Sequence, residues 1–231
     1  MAPVDLTPRQ LTGLDAPELV EAEPGRFLQP AVAAAYQAMQ QAAAADRIAL
    51  RIASGLRDFS RQQAIFKAKL NGDRPVYDAA QQVITLNGMS LAAKLHAIML
   101  YSALPGASRH HWGTDLDVWD QAAVPDDYVL QLSAAEYAPD GPFARLSAWL
   151  SQHAGRFGFF RPYRSFRGGV AIEPWHLSYR PLASQYLQQL TLPVLQAAML
   201  ESKLAEPDEI AAMLPELYQR YICNIDGEDD V

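Results

Sequence analysis

The chain has 231 residues, half of them hydrophobic and 19% charged, the balance of an ordinary globular protein able to bury a sizeable core. A net charge of −7 provides no basic field for a phosphate backbone, so no nucleic-acid partner is expected. The single cysteine, Cys223, excludes an internal disulfide and any Cys-rich zinc cluster, so a bound metal would need histidine and carboxylate ligands.

Residues 1–30 read as an irregular arm broken by prolines and acids, with neither a basic n-region nor an apolar h-region. No window reaches the roughly 18 continuous apolar residues of a membrane span. On that reading the chain is cytoplasmic as written, or periplasmic if its start site omits a signal. The Ala- and Gln-rich stretch 31–46 predicts a helix, and the alternation of Ile48, Leu50 and Ile52 predicts a strand. A second helix opens near Ser60 and runs to about Leu70. Residues 71–88 carry turn chemistry at both ends, Asn71-Gly72 and Asn87-Gly88, and read as a hairpin or a lid.

A helix over 90–102 stops at Pro105-Gly106. TDLDVWD (114–120) suits a strand that puts Leu116 and Val118 on one face and Asp115, Asp117 and Trp119 on the other. An amphipathic helix covers 141–157, and GFFRPY and VAIEPWHLSY (170–179) read as strands around Gly168-Gly169. After Pro181 two further helices, 182–204 and 208–222, carry no motif. The expectation is an α+β fold in three parts: an arm (1–30), a body (31–181) whose small antiparallel sheet is flanked by helices, and a helical extension (182–231).

Two of the five histidines sit in unusual company. His110 precedes Gly113 and Asp117, and a glycine there lets the chain fold back so that both side chains can face one cation. His176 follows Glu173 by three in Glu173-Pro174-Trp175-His176. Two imidazoles and one carboxylate would leave the fourth position of a tetrahedral zinc open, the arrangement of catalytic sites. A nearby glutamate outside the metal shell can then take a proton from water. His96 and His153 fall on helices and read as structural, and His111 and Trp112 as packing or rim.

Ser108-x-His110-x-x-Gly113-x-x-x-Asp117 together with Glu173-Pro174-Trp175-His176 resembles the paired signature of VanY-type D-alanyl-D-alanine carboxypeptidases and their D,D-dipeptidase relatives. That superfamily also holds lysostaphin-type enzymes and the hedgehog signalling domain. Ser54-Gly55-Leu56-Arg57, followed by Gln62, resembles the family's upstream block, so the likeness spans about residues 47–180. The resemblance implies one zinc per chain, held by His110, Asp117 and His176 in the small sheet, with Glu173 as general base. It further implies that Arg57 stabilises the oxyanion, that Gln62 and Ser108 help to hold the substrate's terminal carboxylate, and that Trp175 forms a wall or a packing support beside the ligand.

The implied activity is removal of a terminal D-alanine from peptidoglycan stem peptides or muropeptides, with D,D or L,D specificity left open. An endopeptidase, a D,D-dipeptidase and a non-catalytic hedgehog-like zinc domain are the alternatives, and the presence of Glu173 argues against the last. Three features depart from the family: the gap between Arg57 and Ser108 is longer than usual, no signal is seen, and Asp115 replaces a usually small residue. Asp115 could orient a histidine, add a charge beside the metal, or cap a turn or pair with an arginine.

Overall fold

The computed structural model describes residues 5–202 and 207–227. The expected arm is more ordered than its prolines and acids suggest. A capping box at Thr7 starts the short helix α1 (Pro8–Leu11), and β1 (Val20–Glu23) pairs antiparallel with β2 (Arg26–Leu28). The signal for that hairpin was Pro24-Gly25, where Gly25 takes φ +69° at the reversal.

Helix α2 (Pro30–Ala45) leads into β3 (Leu50–Ser54), and Asp58 caps α3 (Phe59–Leu70) by accepting from the Arg61 amide. The 71–88 segment is a hairpin of two-residue strands, β4 (Val76–Tyr77) and β5 (Val83–Ile84). Helix α4 (Leu91–Met99) follows, capped by Ser90, and ends before the Pro105-Gly106 turn. A 3-10 turn over Arg109–Trp112 leads through Gly113 into β6 (Asp115–Asp120). Then come α5 (Ala144–His153), β7 (Phe159–Phe160), β8 (His176–Tyr179), α6 (Arg180–Gln189), α7 (Leu192–Ser202) and α8 (Pro207–Leu217). The strand expected over 170–179 is thus only its last four residues, because Glu173–Trp175 form the turn that enters it: the His176 amide donates to the Glu173 carbonyl at 3.1 Å.

One four-stranded antiparallel sheet, ordered β3-β6-β8-β7, organises the body. Period-two alternation sorts most of β6 as expected: Leu116 and Val118 join an apolar core with Ile52, Leu177, Tyr36 and Leu150, while Asp115 and Asp117 point to the other face. Trp119, expected beside the two carboxylates, packs against the apolar core instead, its ring centroid 6.2 Å from that of Phe143. A second core lies beyond that face. Leu95 and Ile98 of α4 and Trp112 meet Tyr186, Leu195 and Leu214 of the C-terminal helices there. The helices after Pro181 therefore share a core with the body, and residue 181 marks a change in sequence character rather than a break in packing.

Candidate metal centre

The site begins with the turn between Arg109 and Asp115. Gly113 closes the 3-10 turn at φ +67°, a left-handed conformation that favours glycine. A Cβ there would meet Leu19 Cδ2 at 3.0 Å. The chain reverses at this point, so His110 comes to lie beside β6. In the sheet Asp117 is paired with His176 on one side and Ser54 on the other. Adjacent strands thus bring together residues 59 positions apart.

The three expected ligands converge, and the hydrogen bonds behind them fix which atoms face inward. His110 Nδ1 lies 2.9 Å from the Gly55 carbonyl oxygen, and His176 Nε2 lies 2.9 Å from Asp115 Oδ1. A carbonyl or carboxylate oxygen only accepts, so each of those nitrogens carries the proton. The opposite nitrogens, His110 Nε2 and His176 Nδ1, then present lone pairs to Asp117 oxygens at 3.4 and 3.3 Å. Lone pairs facing carboxylate oxygens repel one another unless a cation lies between them. One ligand atom from each of His110, Asp117 and His176 lies within 4.8 Å of the others, so the trio could hold a metal ion.

Two further observations fit a cation. Asp117 Oδ1 is buried with no hydrogen-bond partner among the described residues. Burial alone would lower the His176 pKa, yet its hydrogen bond to Asp115 and the nearby carboxylates of Asp117 and Glu173 drive it well above the usual histidine value. Three carboxylates around one ring call for positive charge at that spot, and a divalent metal supplies it. Burial would likewise raise the carboxyl of Asp117, but the close approach of the His110 and His176 rings outweighs it and holds the group far below the ordinary carboxylate range.

Glu173 stands beside the trio, its Oε2 3.4 Å from His176 Nδ1, and its amide donates to the Tyr163 carbonyl at 3.0 Å. Arg57 lies on the same wall, clamped by bonds from its guanidinium to Gln62 Oε1 (2.9 Å) and Ser54 Oγ (3.1 Å). These groups and the trio open onto a cavity of about 620 Å³, whose wall also includes Ser108, Lys69, Tyr77 and Trp175.

Gln62 is the exception. It is fully buried and absent from the cavity wall. Its oxygen accepts from Arg57, and its Nε2 donates to the Ala103 carbonyl at 2.6 Å. Both ends of the amide are thus occupied within the chain, and the expected contact with a substrate carboxylate is not visible in this arrangement. Trp175 is mostly core, tilted against Tyr137 with ring centroids 5.7 Å apart.

Sequence reasoning passed over contributors from three parts of the chain. Lys69 stands on the cavity wall two helical turns after Gln62, and this i, i+7 spacing on α3 was the available signal. Tyr77 and Gln81 of the 71–88 hairpin form another part of the wall. Tyr221 and Ile222, beyond the resemblance altogether, close a third side.

A small antiparallel sheet and its adjoining turns, bringing together two imidazoles, a carboxylate and a neighbouring glutamate on a cavity floor, define a hydrolase of the single-metal type. The chain belongs to the VanY family of D-alanyl-D-alanine carboxypeptidases, whose family model matches residues 25–182. An uncharacterised protein of Haemophilus influenzae is 35% identical over 121 residues, covering 52% of this chain and 92% of its own length. A second from that organism is 41% identical over 103 residues, 43% of this chain and 70% of its own.

Among solved structures, VanYB in complex with D-alanine-D-alanine matches 80% of this chain and 88% of its own at 24% identity, with a TM-score of 0.53. A mutant of the D,D-pentapeptidase VanY from a VanB-type resistance cassette, in complex with Zn(II), matches 78% and 89% at 25% identity and TM-score 0.51. The LD-carboxypeptidase LdcB matches 90% and 80% at 20% identity and TM-score 0.53. The family read from the three motifs and the α+β fold read from the element pattern are both borne out. No helix among the described residues is long and apolar enough to cross a membrane.

Proposed function

We propose that this chain is a zinc carboxypeptidase that hydrolyses the bond before a terminal D-alanine of peptidoglycan stem peptides, with His110, Asp117 and His176 as the ligands. The observation that carries the reading is the convergence of His110 Nε2, His176 Nδ1 and Asp117 beside Glu173 on the cavity floor. Zn(II) in the VanY relative supports the choice of metal. A zinc ion held there supplies Lewis acidity, acidifying water and polarising the scissile carbonyl.

The chain's own residues do the rest. Glu173 accepts a proton from the attacking water and returns it to the departing D-alanine amine, so the peptide C–N bond breaks as a carboxyl forms. Arg57, held in place by Gln62 and Ser54, lends fixed positive charge to the oxyanion. Ser108 and Lys69 are wall groups able to meet the terminal carboxylate.

Mass spectrometry of muropeptide tri-, tetra- and pentapeptides before and after incubation with zinc-loaded protein tests this. Loss of one alanine from the pentapeptide supports D,D activity, and loss from the tetrapeptide supports L,D activity. Release of a dipeptide, or cleavage within the stem, would replace the reading with a dipeptidase or an endopeptidase. Intact peptides beside stoichiometric zinc would overturn it in favour of a binding domain.

A further inference from the structure

The zinc reading leaves a buried ion pair unexplained. Asp115 is fully buried and has three partners: Oδ1 accepts from Arg109 Nε at 2.8 Å and from His176 Nε2 at 2.9 Å, and Oδ2 accepts from Thr114 Oγ1 at 2.7 Å. Arg109, also buried, bonds Ser178 Oγ through a second nitrogen at 2.5 Å. Its guanidinium carbon lies 4.9 Å from the Trp112 ring centroid and 5.8 Å from that of Phe160. Asp115 and Ser178 are direct cross-strand partners on β6 and β8, two residues along the strands from the Asp117–His176 pair.

We propose that Arg109 and Asp115 act as one arm that sets the ring of His176, making Arg109 a positioning residue of the zinc centre. The inference rests on the metal reading above. An ionised carboxylate gives His176 a charge-assisted hydrogen bond, which fixes its tautomer and its ring plane. Alone, that carboxylate would be a second uncompensated negative charge buried beside Asp117, which is costly. Arg109 cancels the charge and anchors the carboxylate to the neighbouring strand.

Arginine suits the position because its fork reaches Asp115 and Ser178 at once, while its flat face packs between Trp112 and Phe160; a lysine offers neither. The pair also straddles the Gly113 reversal, so it ties the turn that presents His110 to the strand that presents Asp117. This arrangement unites two of the roles open to Asp115 from sequence, orienting a histidine and pairing with an arginine.

The test measures zinc affinity by chelator competition, with NMR of the His176 ring nitrogens in the zinc-loaded protein. Asp115→Ala is expected to weaken zinc binding by roughly 10–100-fold, the usual effect of losing such an outer partner, and to shift the His176 Nε2 resonance. Arg109→Met is expected to weaken binding and move the same resonance. The double variant Arg109→Met/Asp115→Ala is expected to lose no more affinity than Asp115→Ala alone, because Arg109 acts through Asp115.

Additive losses in the double variant, or single variants within twofold of the parent with an unmoved resonance, would overturn the proposal. Should a single variant fail to fold, the double variant, which removes both charges together, and Asp115→Asn, which keeps the volume, still decide it. Parent protein that binds no zinc overturns this inference and the proposed function together. Parent protein that binds zinc while the variants match it overturns the inference alone.

Discussion

Glu173 and His176 are three residues apart, yet the turn at Pro174 gives them different relations to the trio: His176 is part of it, and Glu173 stands at its edge. Replacing Glu173 with Gln keeps the shape and removes the base. Turnover should fall by about 10²–10⁴-fold with the zinc content intact, as elemental analysis of the same sample would show. Loss of the metal with unchanged activity per zinc would make Glu173 a ligand instead.

Lys69 permits a pH prediction. Burial pushes its ammonium down to about 8, with the Glu173 charge opposing the shift. The group is therefore charged below that pH and neutral above it. If it meets the terminal carboxylate, kcat/KM should fall as pH rises through about 8, since that ratio reports the free enzyme. Lys69→Met should lower kcat/KM at pH 7 and flatten the limb; an unchanged profile would remove Lys69 from the substrate site. At this scale the convergence of His110, Asp117 and His176, with Glu173 beside them, was legible in the sequence because fixed spacings carry it. The hydrogen bonding of Gln62 was not, since no spacing tells a side chain that lines a cavity from one that holds its neighbour.

The 3-10 turn between α4 and β6 joins most parts of the site, and His111 is its fastener. His111 Nδ1 donates to the Arg57 carbonyl at 2.6 Å, and Nε2 accepts from the Gly106 amide at 3.2 Å. Only the neutral ring can do both, and burial keeps it neutral by lowering its pKa to about 4. His111→Leu would leave two buried backbone groups without partners, at about 1–3 kcal/mol each. Thermal unfolding should register a large loss of stability, and kcat should fall as Arg57 shifts. A melting temperature within a degree or two of the parent would show that the turn holds without this fastener. Sequence marked His111 as packing, and the turn at Pro105-Gly106 was legible too. The tie from His111 to the Arg57 carbonyl was not, because that hydrogen bond spans 54 residues. Strand limits were read too long at 170–179, where apolar alternation continues through a turn built on Pro174.

At the scale of the whole molecule, the helices after Pro181 matter most. The family match ends at residue 182, but the packing continues past it. Trp112, in the turn that presents His110, meets Tyr186 of α6 edge to face with ring centroids 6.1 Å apart. Leu195, Leu214 and Leu217 fill the same core, and Tyr221 and Ile222 reach the cavity wall. The contact is close at backbone level as well: a Cβ on Gly169 would lie 2.1 Å from the Arg220 carbonyl oxygen. Periodicity in the sequence announced these helices, but amphipathic spacing does not say which surface they cover. A chain ending at residue 181 would expose one of the two cores, and is expected to lose cooperative unfolding and to bind a hydrophobic dye. Leu214→Ala makes the same test without truncation. It removes a fully buried side chain and should cost about 2–5 kcal/mol, as much as Leu177→Ala in the sheet, when both are compared by denaturant midpoint. If Leu214→Ala is nearly silent, or the shortened chain melts cooperatively and binds zinc as the full chain does, the C-terminal helices are an appendage after all.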